Sequence, residues 1–268
     1  MNDMVVELIS VGTELLLGDI VNTNAQYLSR QLSKLGLASY YQTVVGDNPE
    51  RIKAALDVAF SRGDMVILTG GLGPTKDDLT KEMIMDYFHK ETVLDDQALS
   101  MLEKRLASRG FGPVSDSQKK QAYVPKDAII MYNHNGTAPG CILEDDGKYC
   151  LLFPGPPKEM QPMFEEYAIP YLKQFSDQIF VSMNIKMMSK DEVPVTIVGE
   201  GPCAERLGNL VDNPNPTVAT YAKEDGCLIR VTAAAPDRET ALEMIRPVVE
   251  KCRLALGDDY IRTIYEDV

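Results

Sequence analysis

Apolar positions along the chain fall into two alternating periods. Short continuous apolar runs at Val5–Val11 and Met65–Thr69 predict buried strands, and Tyr40–Val45 reads as another strand between them. Between them the apolar residues recur at helical spacing. Ala25, Leu28, Leu32 and Leu35 follow Asn22-Thr23-Asn24, and Ile52, Ala55, Leu56 and Ala59 follow Asn48-Pro49. Gly36 stops the first of these helices, and Pro49 stands where a first helical turn tolerates proline. Strand–helix alternation of this kind predicts a mostly parallel sheet with helices on both faces. A further helix is expected from near Asp78 to about His89, another over Asp95–Arg109, and a shorter one after Ser115. Ile129-Ile130, Cys141–Leu143 and Tyr149–Phe153 predict three more strands, with a helix running on to Phe175.

Around Ser176 the pattern restarts. Gln178 to Met187 reads as a strand, and Gly199-Glu200-Gly201-Pro202 leads a helix to about Val211. Thr217–Tyr221 and Cys227–Ala234 predict a hairpin joined by Lys223-Glu224-Asp225-Gly226, and Arg238–Leu256 a long helix. Residues 1–175 therefore read as an α/β domain and 176–268 as a smaller α+β unit.

Composition narrows the function classes. A hydrophobic share of 44% suits a globular core. No apolar run approaches the ~18 residues of a membrane span. Met1-Asn2-Asp3-Met4 lacks the basic and apolar segments of a signal peptide, so a cytoplasmic protein without membrane contact is expected. The net charge of −13 repels nucleic-acid backbones, so nucleic acid is not an expected partner. It leaves room for a local pocket binding a small phosphate ester. The cysteines Cys141, Cys150, Cys203, Cys227 and Cys252 are widely spaced and predict buried thiols rather than a disulfide scaffold or zinc ribbon. With only His89 and His134, a Ser-His-Asp triad or a multi-histidine metal site is a poor fit.

Chemistry concentrates in turns that follow strands. After Met65–Thr69 comes Gly70-Gly71-Leu72-Gly73-Pro74-Thr75-Lys76-Asp77-Asp78-Leu79-Thr80. Gly70, Gly71 and Gly73 allow positive φ and a close approach to backbone. A helix beginning near Asp78 would aim free N–H groups at a phosphate. Lys76 offers positive charge, and Asp77 and Asp78 offer hard oxygens for a divalent cation. No Gly-Lys-Ser/Thr follows, so this is not a Walker A loop. A tight turn with Asp78 as a plain helix cap explains the local sequence equally well. Gly12-Thr13-Glu14, Asn135–Gly140 and Pro154-Gly155-Pro156-Pro157-Lys158-Glu159 are weaker alone, each readable as a ligand loop or as a simple connection.

Together and in this order, these segments resemble the molybdopterin-binding fold of the MoaB, Mog and MoeA proteins. Within that group they are most similar to the competence/damage-inducible protein A (CinA) family. The likeness rests on Val11–Gly18, Gly70–Asp78, Asn135–Gly140 and Pro154–Met160, and it spans nearly all of the first domain. Gly199-Glu200-Gly201, Asn215-Pro216-Thr217 and Leu228–Thr232 resemble the family's KH-type domain, with Pro202 where a serine is the pattern. The resemblance implies a three-layer α/β/α domain with a mostly parallel sheet, followed by a small KH-like α+β domain. Full-length members continue into a nicotinamide-mononucleotide deamidase domain; the sequence ends at Val268, so that activity is not expected here.

For the first domain the resemblance implies a metal-dependent ADP-ribose pyrophosphatase acting as a homodimer. A non-catalytic molybdopterin- or nucleotide-phosphate-binding module is the alternative. The implied cation is magnesium, manganese or cobalt, with potassium as a further candidate. Asp78 and Glu14 are the expected metal ligands, and Asp78, Asp77 and Lys76 the expected catalytic residues. Gly12, Thr13, Glu14 and Asn24 would meet substrate from the first turn, and Gly70, Gly71, Gly73, Thr75 and Thr80 from the second. Thr137, Pro154, Gly155 and Lys158 would complete the substrate contacts. Nucleic-acid binding through the KH-like unit needs a Gly-x-x-Gly loop flanked by basic residues, and Gly199-Glu200-Gly201-Pro202 lacks both the final glycine and the basic charge.

Overall fold

The structure is a computed structural model that describes residues 4–267. The chain forms two compact units that part between Ser176 and Asp177.

In the first unit, β1 (Val5–Val11), β2 (Ala38–Val45) and β3 (Met65–Thr69) are joined by α1 (Thr13–Leu17), α2 (Thr23–Lys34) and α3 (Pro49–Arg62). Asn22 and Asn48 accept from the N–H groups of Ala25 and Arg51, so each asparagine satisfies an orphan donor at a helix start. The helix after the glycine turn, α4 (Thr80–Tyr87), begins two residues later than the pattern predicts. Its N-cap is Leu79, so Asp78 belongs to the loop and caps nothing. An excursion follows: β4 (Thr92–Leu94) and β5 (Tyr123–Pro125) form a two-stranded ribbon around α5 (Asp96–Ser108) and the short α6 (Asp116–Lys119). Both ribbon strands escaped the sequence pattern, because three residues are too few for a period.

The chain returns through β6 (Ile129–Met131), β7 (Gly140–Asp145) and β8 (Lys148–Phe153), then a continuous helical run that starts with α7 (Pro157–Met163) and ends at Phe175. The sheet order is β2-β1-β3-β8-β7-β6, with the first four strands parallel and the last two antiparallel. One face of β1, β3 and β8 packs Ile9, Val66, Leu68 and Leu152 against Ile52 and Leu56 of α3 and Ile84 of α4. On the other face Phe153 packs at 5.8 Å, tilted by 48°, against Phe164 of the last helical run, which also meets Tyr27 of α2. The result is three layers, α/β/α, as expected. β1, β3 and β8 are buried on both faces, which is what their continuous apolar runs encode.

The second unit is an antiparallel sheet ordered β10-β11-β9-β12, built from β9 (Ile179–Met187), β10 (Thr217–Lys223), β11 (Gly226–Ala235) and β12 (Ile261–Glu266). The helix Arg238–Leu256 contributes Ile245, Cys252 and Leu256 to a core with Ile185, Ile229 and Val231. Strand β12 is an edge whose short, half-exposed run carries little alternation; pairing with β9 creates it. Gly199 caps the helix Glu200–Leu207 and Gly201 lies inside that helix, so the segment forms no Gly-x-x-Gly loop. All five cysteines are buried and free. No helix among the described residues is long and apolar enough to cross a membrane.

Candidate functional site

The sheet order places β2 on one side of β1 and β3 on the other, so the chain reverses direction of winding at β1. Crevices at such switch points, beyond the carboxyl ends of the strands, are where open α/β sheets bind ligands. A cavity of about 410 Å³ lies there, between Val11-Gly12, Gly70–Pro74 and Pro154–Pro156. A larger hollow of about 520 Å³ in the second unit involves Lys186, Lys223 and Asp225. It lies at the hairpin turn between β10 and β11, and its Lys186 is already paired with Asp225 at 2.8 Å.

Backbone closeness builds the first cavity. Gly70 has φ of +100°, and a Cβ there would collide with the carbonyl oxygen of Val11. The Gly70 N–H donates to the carbonyl of Phe153 at 3.0 Å, tying β3's loop to β8's end. Gly155 packs beside it, where a Cβ would make an ordinary contact with the Cα of Gly70 at 3.6 Å. Gly71, at φ +69°, lies over the hydroxyl of the fully buried Thr80. Gly70 and Gly71 need to be glycine because each combines a positive φ with no room for a side chain.

Those same bonds correct the expected anion cradle. The N–H groups of Gly70, Thr75 and Thr80 are committed to Phe153 O, Asp78 Oδ2 and Gly71 O. The first N–H of α4 closes the loop instead of facing the cavity. Lys76 and Lys158 are exposed, and neither lines the cavity. Among the described residues that line it, none is basic, whereas Glu14, Asp47, Asp77, Asp78 and Glu159 are all acidic.

Three of these carboxylates are held by neighbours. Asp78 Oδ2 accepts from the Thr75 N–H at 2.9 Å and hydroxyl at 2.5 Å. Asp47 Oδ2 accepts from the Thr13 N–H at 2.9 Å and hydroxyl at 2.8 Å. Glu159 Oε2 accepts from Asn133 Nδ2 at 2.9 Å. Glycines leave room for Asp78, Glu159 and Glu14: a Cβ on Gly73, Gly136 or Gly12, respectively, would run into the carboxylate. Thr13 and Thr75 therefore orient carboxylates rather than line the wall.

The expected residues divide in this way. Gly12, Glu14, Gly70, Gly71, Gly73, Asp77, Asp78, Thr137, Pro154 and Gly155 come together around the cavity. Asn24 lines an adjoining hollow, Thr80 lies beneath Gly71, and Lys76 and Lys158 stand apart. Sequence reasoning missed Asp47, Gln121 and Lys120 and gave Glu159 no role in the site. Asp47 follows a parallel strand's carboxyl end, a signal that was available. Gln121 donates to Thr137 Oγ1 at 3.2 Å, and Lys120 Nζ donates to the carbonyls of Thr75 and Asp78 at 2.9 and 2.8 Å. Behind them Lys81 Nζ donates to the carbonyls of Lys120 and Gln121, and burial pushes its ammonium down to about 8. Nothing in local sequence marks these three, because the excursion brings them to the glycine turn from about forty residues away.

The cavity's chemistry is that of hard oxygen donors. Among the described residues no three or more of His, Cys, Asp and Glu converge on one point to hold a metal ion by themselves. Magnesium-class ions do not need such a cage; they bind through one or two carboxylates, waters and substrate phosphates. Carboxylates without a basic partner suit that arrangement.

Two protein families match the chain: a probable molybdopterin binding domain over residues 7–174 and the damage-inducible protein CinA KH domain over residues 193–261. A CinA-like protein of Dictyoglomus turgidum is 49% identical over 253 residues, covering 94% of this chain and 59% of its own length. A putative competence-damage inducible protein of Clostridium beijerinckii is 46% identical over 266 residues, covering 99% of this chain and 62% of its own. The chain thus spans about three-fifths of the length of these relatives. A crystal structure of the protein CinA, of unknown function, from Thermoplasma acidophilum is 34% identical; it covers 63% of this chain and 99% of its own, with a TM-score of 0.58.

Proposed function

The chain belongs to the CinA family, pairing a molybdopterin-binding-type domain with a CinA KH domain, and from that premise we propose that its first domain is a divalent-cation-dependent hydrolase of the ADP-ribose diphosphate. The observation that carries this reading is the acidic, base-free wall of the switch-point cavity. A diphosphate beside Glu14, Asp77 and Asp78 is repelled unless a cation lies between them. Asp78 and Glu14 are the residues that would hold it, since Thr75 fixes the Asp78 carboxylate at the cavity edge and the missing side chain of Gly12 leaves room for that of Glu14. A divalent cation there would polarise a phosphoryl oxygen and acidify water.

The remaining roles fall to the chain's own groups. Gly70, Gly71 and Gly155 let the diphosphate approach backbone without a side chain intervening. Thr137, held by Gln121, offers a hydroxyl on the facing wall. Asp47 and Glu159 complete the negative wall that keeps the diphosphate dependent on the cation. Water adds across the diphosphate bond, and the products are AMP and ribose 5-phosphate.

Incubation of the chain with ADP-ribose and magnesium, manganese or cobalt, followed by chromatography of the products, tests the proposal. AMP should appear only with a metal, and Asp78→Asn should lower the rate at least tenfold. Binding of ADP-ribose without AMP under every metal would leave a phosphate-binding module in place of an enzyme.

A further inference from the structure

The second unit holds a pair of thiols for which the chemistry of the first domain has no use. Cys203, on the helix Glu200–Leu207, and Cys227, at the start of β11, pack in one core with Cys252. Burial pushes the thiol of Cys252 up to about 11 and that of Cys141 up to about 12, and it raises Cys150 as well. Cys203 is the one of the five whose thiol is held below the usual cysteine range. The causes are a hydrogen bond from the Cys227 thiol and the guanidinium of Arg206, whose Nη2 lies 3.5 Å from Cys203 Sγ. That same bond raises Cys227, so the pair shares one proton and Cys203 is the nucleophile. The Arg206 nitrogens also donate to the carbonyls of Pro202, Leu256 and Ile197, which fixes the guanidinium in place. A neutral Cys203 donates to the Ile197 carbonyl at 3.7 Å, whereas its thiolate accepts from Arg206 and Cys227. Cys227 stands at the boundary of this core, because it also lines the hollow of about 520 Å³ at the β10–β11 turn.

We propose that Cys203 and Cys227 are a dithiol–disulfide couple, closed by a small peroxide that enters from the hollow and reopened by a small thiol. The Cys203 thiolate attacks one peroxide oxygen. The O–O bond breaks, and the departing hydroxide takes a proton to become water. Cys203 is then a sulfenic acid, the first and reversible rung of thiol oxidation. The Cys227 sulfur attacks the Cys203 sulfur. The S–O bond breaks, the S–S bond forms, and the hydroxyl leaves with the Cys227 proton as a second water. Two thiols lose two electrons, and one peroxide becomes two waters. Two equivalents of a small thiol reverse the bond, the first attacking one sulfur and the second resolving the mixed disulfide. The closed form ties the helix Glu200–Leu207 to β11 and encloses β10 with its turn in the loop between them. Cys252, buried in the same core and shifted by burial alone, stays reduced. The couple uses nothing in the first domain, so it stands apart from the diphosphate reading.

Treatment of the reduced chain with hydrogen peroxide tests the couple. Thiols are then counted by alkylation in urea, and the product is mapped by mass spectrometry. Free thiols should fall from five to three, with the peptides of Cys203 and Cys227 joined, and dithiothreitol should restore all five. Cys227→Ala should arrest the reaction at a sulfenic acid on Cys203, which dimedone traps. Cys252→Ala should still form the bond. Five free thiols in the unmodified chain, at a peroxide dose that oxidises the same chain in urea, would overturn the inference. So would a disulfide through Cys141, Cys150 or Cys252, or one that joins two chains. These outcomes are read in the unmodified chain, so the folding of a variant does not decide them.

Discussion

Lys120→Met tests whether the glycine-rich turn is held from outside. The substitution keeps the aliphatic stem and removes the ammonium that donates to Thr75 O at 2.9 Å and Asp78 O at 2.8 Å. Hydrogen bonds to a charged group contribute about 1.5–3 kcal/mol each when well buried. The Lys120 side chain is 27% exposed and the freed carbonyls can meet water, so about 2–3 kcal/mol for the pair together is the better magnitude. The Thr75–Asp78 turn lies outside the buried core, so the loss falls on local order more than on global unfolding. At about 1.4 kcal/mol per tenfold, ADP-ribose affinity in magnesium should fall roughly 30- to 140-fold. Calorimetric titration measures it, and urea denaturation of the same sample should show a midpoint only slightly lowered. An affinity within threefold of the unmodified chain would refute the claim that Lys120 holds the turn. A collapse of stability in step with affinity would make Lys120 a general support of the fold.

Gly70→Ala should cost at least about 2 kcal/mol, from positive φ plus the collision with Val11 O, and should abolish ligand binding. Gly110→Ala, also at positive φ but in open space, should cost only about 1 kcal/mol by urea denaturation; equal costs would refute the packing argument. Glu7 is 1% exposed and accepts from Arg62 Nε and Nη2 at 2.9 and 2.8 Å. Arg62→Met alone should therefore lower the melting temperature more than the double substitution Glu7→Leu with Arg62→Met, because only the single variant leaves a buried charge unpaired. For Lys81, folding lowers the ammonium from 10.5 to about 8. Below pH 8 the folded chain bears the full cost of the buried charge, and between about 8 and 10.5 the unfolded chain binds more protons. Stability relative to Lys81→Met should rise across that window by about 3 kcal/mol in urea titrations, and a flat difference would show that the ammonium is not desolvated.

Period and punctuation made much of the architecture legible. Val5–Val11 and Met65–Thr69 are strands at the residues expected, and Arg238–Leu256 is a helix at both expected ends. The three-layer domain followed by a small α+β unit was also legible, because burial on both faces leaves its mark on every residue of a strand. Several things were not. Strand β12 exists only by pairing with β9, and the ribbon of β4 and β5 is too short for any periodicity. The start of α4 moved past Asp78 because the side chain's carboxylate turns back to Thr75, a loop bond that competes with helix capping.

By itself the sequence determined that glycine turns would follow the central strands and that acidic residues would accompany them, since residue type and order decide those features. Only the tertiary structure decided what the turns do. Folding commits the N–H groups of Gly70, Thr75 and Thr80 within the protein and leaves Lys76 exposed, outside the cavity lining. It brings Asp47, Gln121 and Lys120 to a loop remote from them in sequence, and leaves Asn24 Oδ1 buried without a partner. The physical reason is that hydrogen bonds and burial across the ends of β1, β3 and β8 depend on long-range packing, which no local pattern encodes.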